Sequence, residues 1–230
     1  MPQRRLYADN AARQQAYRDR KSHPPTRHLP VDQPPGRYVT DLEMLIQAGE
    51  RFGTIYADPP WPYANQGTRG RTSRHYASLP VEALAALPVR ELAADQAHLH
   101  LWVTKDFHFA AAQVLAAWGF AYAGQLVWVK TTADGRKPQI GTGNYWRNCH
   151  ELCLLGVRGG LTAQHKHLPS VVCAPRGAHS EKPERVRDLV EQLSPGPYLE
   201  LFGRAAVPGW TVFGNQQLPR TGRLFKDVIG

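Results

Sequence analysis

Apolar and polar positions along this chain switch repeatedly between the two-residue period of a strand and the 3.6-residue period of a helix. "FGTIYA" (52–57), "HLHLWV" (98–103), "GQLVWVK" (124–130), "ELCLLGV" (151–157), "YLELF" (198–202) and "WTVFG" (210–214) read as strands. "PVEALAAL" (80–87) reads as a short helix, with Pro80 suited to its first turn, and "FHFAAAQVLAAW" (107–118) as a longer one closed by Gly119. In "EKPERVRDLVEQL" (181–193) the residues Val186, Leu189, Val190 and Leu193 fall at i, i+3, i+4 and i+7, one buried face of an amphipathic helix. Strands alternating with helices predict an α/β fold: an open, mostly parallel sheet with helices on both faces. The two closely spaced last strands suggest an antiparallel edge. No internal repeat is present.

The pattern changes before residue 38. Residues 5–21 are polar and helix-compatible, and "SHPPTRHLPVDQPPGR" (22–37) is proline-rich. The expected organisation is a basic, proline-rich arm over 1–37 and one domain over 38–230. Charge sharpens this division. The formal net charge is +9, and residues 1–37 hold Arg4, Arg5, Arg13, Arg18, Arg20, Lys21, Arg27 and Arg37 against Asp9, Asp19 and Asp32. A second basic group, Arg69, Arg71, Arg74 and His75, follows the first strand. Clustered cations suit a phosphate backbone, so nucleic acid is the expected partner; a solvated basic surface is the bland alternative. No apolar run approaches the ~18–20 residues of a membrane span. The N-terminus has no apolar core and does not read as a secretory signal. Three cysteines cannot form a disulfide framework, which fits a reducing compartment. The expected location is cytoplasmic. The spacing of Cys149, Cys153 and Cys173 with His150 fits no usual zinc pattern, and no metal is expected.

The chemistry concentrates in "TIYADPPWPYANQG" (54–67), where an apolar strand should end. Asp58 and Pro59 each precede a proline and are pushed toward extended geometry. Pro59 and Pro60 have fixed φ and no backbone N–H. The segment therefore offers acceptors, the Asp58 carboxylate and the Pro59 carbonyl, followed by the broad face of Trp61. Two acceptors can receive both hydrogens of an exocyclic amine while an aromatic ring stacks under the base that bears it. Such bonds favour a more tetrahedral nitrogen and free its lone pair for attack, and they stabilise the positive charge that develops. A rigid strand-to-loop turn with a half-buried tryptophan is the structural alternative. In open α/β sheets ligands bind beyond the carboxyl ends of the strands. This motif, "FGR" after "YLEL" and "VKTT" after "QLVW" all sit at such ends.

"ADPPW" resembles the catalytic motif of the MT-A-type N6-adenine methyltransferases, the family of the seventy-kilodalton subunit of the eukaryotic messenger-RNA enzyme. "LHLWVTKDF" (99–107) and "LVWVKT" (126–131) are similar to the strands that follow it in that family. "GNYWRNCHELCLLGVRG" (143–159) resembles the Trp-Arg-Asn-x-His-Glu segment of its compact microbial and phage members. "HSEKPERVRDLVEQLSPGPYLELFGRAAVPGWTVFGNQ" (179–216) is similar to the family's cofactor half. The resemblance covers about residues 38–218 and leaves the arm uncovered.

The resemblance implies a Rossmann-like fold in permuted methyltransferase order and S-adenosylmethionine as cofactor. By resemblance, Asp58, Pro59, Pro60 and Trp61 form the catalytic motif. Asp58 also meets the methionine portion of the cofactor, Lys182 its carboxylate, and Phe202 and Arg204 its adenosine. Asn215 and Gln216 match the pair that bonds the ribose, and Asp41 and Leu42 a segment reaching the adenine edge. Ala205, Ala206 and Val207 stand where the eukaryotic enzyme has further polar ribose contacts, and no G-x-G-x-x-G loop is present. Tyr63 and Tyr76 flank a basic loop with Arg69, Arg71 and Arg74; the family has a tyrosine near Tyr76. Arg147, Asn148 and Glu151 match its substrate side. Trp146 reads equally as a substrate-side or a core residue, and Lys130 as meeting a phosphate or Glu151. The expected function is methylation of adenine N6, with DNA the favoured substrate and RNA the runner-up, by a monomer or homodimer. The rival is a non-catalytic nucleic-acid-binding relative, against which the presence of Asp58, Lys182, Asn215 and Gln216 argues.

Overall fold

The structure, a computed structural model, describes residues 33–62, 78–143, 145–177 and 181–214. The chain divides after Gln33, and the unit that begins at Pro34 carries every element named here. These are β1 (Arg37–Val39), α1 (Leu42–Gln47), β2 (Phe52–Ala57), α2 (Val81–Ala85), α3 (Val89–Leu92), β3 (Ala93–Val103), a 3-10 turn (Lys105–Phe107) and α4 (His108–Ala117). After them come β4 (Ala121–Thr131), β5 (His150–Arg158), β6 (Val171–Pro175), α5 (Glu184–Leu193), β7 (Tyr198–Leu201) and β8 (Trp210–Phe213). The boundary expected at 37/38 falls inside β1.

The eight strands form one Rossmann-like sheet in the order β1-β8-β7-β2-β3-β5-β4-β6. Every pairing is parallel except β3–β5 and β4–β5. The expected antiparallel edge is therefore corrected: β7 and β8 run parallel, and the reversed strand is β5, in the interior. Close spacing misled because β7 is only four residues long, roughly 13 Å at ~3.3 Å per residue. The eight residues between Leu201 and Trp210 suffice to carry the chain back and start a parallel neighbour. The helix read over 181–193 begins at Glu184, because Pro183 at its N-cap stays extended (ψ 130°).

Alternation along each strand sorts the core into two layers. Ile55, Ala57, Leu99, Leu101, Leu154, Leu199, Leu201 and Phe213 face α1 to α4. Tyr56, Trp102, Trp128, Cys153, Trp210 and Val212 face α5. The apolar stripe of α5, Val186, Leu189 and Val190, is buried in the second layer. Each such side chain contributes roughly 1.5–3 kcal/mol relative to exposure. Arg187, on the same helix, lies over the rings of Tyr56 and Trp210 and pairs with Glu200 at 2.8 Å.

The end of α5 is tied to β3 by buried polar groups. The Ser194 hydroxyl lies 2.8 Å from His98 Nδ1 and 2.9 Å from His100 Nε2, and His98 Nε2 lies 3.2 Å from the Leu161 carbonyl. A carbonyl only accepts, so His98 carries its proton on Nε2. Its Nδ1 then accepts from Ser194, whose oxygen accepts from His100 Nε2–H. Both rings are neutral in this arrangement. Burial depresses His100 to about 3, with His98 adding to the effect, and burial also lowers His98. The unfolded chain protonates both near their ordinary value of ~6.5. Stability is therefore full above that pH and declines as pH falls toward 3, as the unfolded state gains protons the folded state refuses. His100 alone costs about 2 kcal/mol by pH 5. Denaturant midpoints at pH 7.5 and 5 should show this loss, and His100→Gln should flatten the slope.

Candidate active site at the carboxyl edge of the sheet

The ends of β2, β4 and β7 and, because β5 is reversed, the start of β5 lie at one edge. Asp58 continues β2, Glu151 is the second residue of β5, and Lys130 is the penultimate residue of β4. Period-two alternation places all three on the face that α5 covers, and Lys182 stands just before that helix. Lys182 Nζ lies 2.5 Å from Asp58 Oδ2 and 3.5 Å from Glu151 Oε2, while Lys130 Nζ lies 2.5 Å from Glu151 Oε1. Trp102 supports Lys182 at 5.1 Å from its ring centroid, and Trp128 supports Lys130 at 5.3 Å. The result is a chain of alternating charges, two cations and two anions, floored by indole faces.

Lys182 is 12% exposed and Asp58 39%. Burial works to lower the Lys182 ammonium, but the charges of Asp58 and Glu151 outweigh it and hold the ammonium above its ordinary value. Cys153 lies in the same layer. Burial drives its thiol far upward, against an opposing pull from Lys182, so it stays protonated and is no nucleophile.

The Asp-Pro-Pro-Trp loop is fixed from within. Trp61 N–H donates to the Pro59 carbonyl at 2.9 Å, and Leu79 N–H donates to the Pro60 carbonyl at 2.9 Å. The Pro59 carbonyl is thus already half engaged, leaving one lone pair for an external amine. The Trp61 indole is 3% exposed, stacks on Phe107 at 5.4 Å and donates Nε1–H to the Trp102 carbonyl at 3.0 Å. This corrects the expectation that Trp61 is an open stacking platform. Turning the indole inward buries its large apolar area, and a β3 carbonyl satisfies its N–H.

Beside Asp58, in the register that pairs Ala57 with Leu201, lies Phe202. Its φ of 68° is left-handed and costly for a phenylalanine. Gly203 follows with no room for a side chain, since a Cβ would come within 2.2 Å of Val212 Cγ1. Arg204 is exposed on the β7–β8 connection. Asp41 caps α1, accepting from Glu43 N–H at 2.9 Å, and Leu42 is buried in the first core layer. Their side chains are committed to structure, although the segment sits at the same edge. Trp146 and Arg147 are exposed and Asn148 is half-buried, so the core reading of Trp146 is excluded. Tyr63, Arg69, Arg71, Arg74, Tyr76, Asn215 and Gln216 lie outside the described residues. Trp102 and Trp128 were missed as members of the site. Alternation in "HLHLWV" and "LVWVK" already placed them on one face with the polar residues of their strands.

The residues present fit a zwitterionic, nucleoside-bearing ligand. The Lys182 ammonium, just ahead of α5, offers a place for a carboxylate. The fold and this site define a Rossmann-like α/β domain of the methyltransferase type. The chain belongs to the MT-A70 family, whose pattern matches residues 52–216. It is 32% identical over 189 residues to a fruit-fly protein named N(6)-adenosine-methyltransferase MT-A70-like, covering 80% of this chain and 30% of that one. It is 29% identical over 214 residues to the human N(6)-adenosine-methyltransferase catalytic subunit METTL3, covering 85% and 36%. It is 29% identical over 199 residues to human N(6)-adenine-specific methyltransferase METTL4, covering 78% and 40%. The chain thus spans about a third of the length of these relatives.

If Trp61 anchors the loop rather than serving as a free platform, Trp61→Ala should lower the unfolding free energy by about 3–5 kcal/mol and Trp61→Phe by less. Equilibrium denaturation measures both; an unchanged midpoint for Trp61→Ala would contradict the anchoring role.

Proposed function

We propose that this protein transfers a methyl group from S-adenosylmethionine to the N6 amine of adenine in DNA. The observation that carries the reading is Asp58. Its carboxylate sits at the exit of a fully buried strand, partly open to solvent, with its charge balanced by Lys182 at 2.5 Å. Family membership and the names of its relatives support both the adenine and the methyl transfer. Asp58, Lys182 and Glu151 standing together favour a catalyst over a non-catalytic relative.

Lys182 would hold the carboxylate of the cofactor, and Phe202 with Gly203 would flank its nucleoside. Asn215 and Gln216 take the ribose by resemblance. S-adenosylmethionine, when bound, supplies an electrophilic methyl group on a sulfonium. The chain does the rest. Asp58 accepts one N–H of the amine, and the remaining lone pair of the Pro59 carbonyl accepts the other. Together they orient the nitrogen lone pair and stabilise the charge that builds on it. Once nitrogen is alkylated it loses a proton readily, and the solvent-facing side of Asp58 passes that proton to water. No strong general base is needed. Glu151, held by Lys130, keeps Lys182 beside Asp58 Oδ2 while the other carboxylate oxygen accepts from the amine.

DNA is supported by the net charge of +9 and the resemblance to compact microbial and phage members. RNA is the alternative, supported by relatives named for adenosine rather than adenine. Incubation with labelled cofactor and adenine-containing DNA or RNA strands tests both. N6-methyladenine in DNA is expected; product in RNA alone would reassign the substrate, and none in either would overturn the enzyme reading. Asp58→Ala should abolish transfer. Lys182→Met should weaken cofactor binding by calorimetry about tenfold or more, as expected when a charge-assisted contact is lost.

A further inference from the structure

Beneath the apolar stripe of α5 the packing is incomplete. Between the stripe, from Val186 to Leu193, and the sheet lies a cavity of about 120 Å³ that is partly open to solvent. Its sheet wall is His100 of β3 with Cys153 and Leu155 of β5, and Leu168 joins from the β5-to-β6 connection. The register explains the space. His100 pairs with Leu155, and Leu155 pairs on its other side with Gly124, just past a break in register after Tyr122. Gly124 brings no side chain, and a Cβ there would meet nothing within 4 Å. The cavity is separate from the charge cluster: Leu155 is four residues from Glu151, roughly 13 Å along the strand at ~3.3 Å per residue. One polar group of this wall is left over. His100 is 7% exposed. Its Nε2–H is spent on the Ser194 oxygen at 2.9 Å, and Nδ1 has no hydrogen-bond partner among the described residues. Burial keeps the ring neutral, so Nδ1 holds a free lone pair. Gln125 and Ser170, which also border the cavity, are exposed to solvent.

We infer that this cavity is a second ligand site, and that it takes a small aromatic ring bearing one hydrogen-bond donor, a phenol in its simplest form. The ring packs against the stripe of α5 and Leu155, and its hydroxyl donates to His100 Nδ1. Each part answers a deficit the fold leaves: apolar surface without neighbours, and a buried acceptor without a donor. Size sets the ring. An apolar cavity of about 150 Å³ stays dry and admits benzene, so a single six-membered ring is the scale that fits. Water is a poor occupant, because a buried water needs roughly two to four polar partners and the buried wall offers it His100 Nδ1 beside apolar carbon and a weakly bonding thiol. Lys182 stands just before α5, so a ring seated beneath the stripe also steadies the helix that bounds the crevice. Nothing in this site depends on the transfer reaction.

Ligand-observed fluorine NMR on the full chain tests this with para-fluorophenol and fluorobenzene, which differ only in the hydroxyl. Para-fluorophenol should bind saturably and about fivefold more tightly than fluorobenzene, the effect of one hydrogen bond. His100→Phe should bring para-fluorophenol down to the level of fluorobenzene. That change also breaks the link to Ser194, so Leu168→Trp and Gly124→Leu form a second arm that leaves His100 and Ser194 intact. Each adds bulk at the cavity and should weaken both ligands about tenfold or more. Saturating para-fluorophenol should raise the thermal midpoint of wild type and leave that of Leu168→Trp unmoved. Absence of saturable binding by folded wild type overturns the site. Equal affinity for the two ligands overturns the role of His100 Nδ1, the result expected if that atom holds a water. Binding that Leu168→Trp and Gly124→Leu both leave unchanged puts the ligand elsewhere and overturns the site as well.

Discussion

A buried ammonium between two carboxylates governs the geometry of this protein. Taking Lys182 out of water is costly, and the cost is tolerable only because Asp58 and Glu151 meet it directly and Trp102 lies beneath it. Lys130 completes the balance, so the cluster carries two charges of each sign. Removing any one member leaves an uncompensated charge in a poorly solvated place. The pairing also fixes the start of α5 to the carboxyl edge of the sheet. The far end of the helix is held by Ser194 between His98 and His100, and the apolar stripe lies between the two ties. With both ends pinned by polar groups of narrow geometry, α5 cannot slide along the sheet, and the crevice at its start keeps its shape.

The reversal of β5 has two consequences at that crevice. It brings the first residues of a strand, rather than the last, to the ligand edge, which is how Glu151 comes to stand beside Lys130 and Lys182. It also makes the β4-to-β5 link a hairpin connection instead of a crossover. A crossover would have returned the chain over a face of the sheet. The hairpin remains at the edge and projects outward, so the exposed aromatic tip and the charge cluster share one side of the molecule.

Much of this was legible in the chain. The buried run 52–57, the stripe of α5 and the strand ends converging on one edge follow from periodicity and from the rule that α/β ligands bind at carboxyl ends. Asp58 and Lys182 were located through the motif and the resemblance. What was not legible concerns direction and orientation. Short β7 and β8 have the same pattern whether parallel or antiparallel, because period two says which face a residue takes and nothing about the heading of its neighbour. Edge strand β1, at three residues, is too short to show a pattern, and the five residues of β6, Val-Val-Cys-Ala-Pro, do not alternate between apolar and polar. Tryptophan is the residue whose setting the pattern leaves least defined. Trp61 was expected open and is buried, and Trp146 stood undecided and is exposed. A ring with a large apolar face and one N–H suits both settings, and only the neighbours decide.

For Trp61 those neighbours alter the meaning of the motif. The prolines alone make the loop stiff but do not say where it points. The indole, locked onto Phe107 and the Trp102 carbonyl, ties the loop to the end of β3, and the Leu79 amide closes it from the other side. Stiffness and anchorage together fix the Asp58 carboxylate relative to the sheet rather than to a mobile loop. For the proposed transfer to a weak nucleophile that matters, because rate depends on holding an acceptor within a fraction of an ångström of its amine. In this arrangement Trp61 is a positioning residue acting through the backbone it anchors. Exposed aromatic rings lie elsewhere, Tyr145 and Trp146 on the β4-to-β5 connection among them.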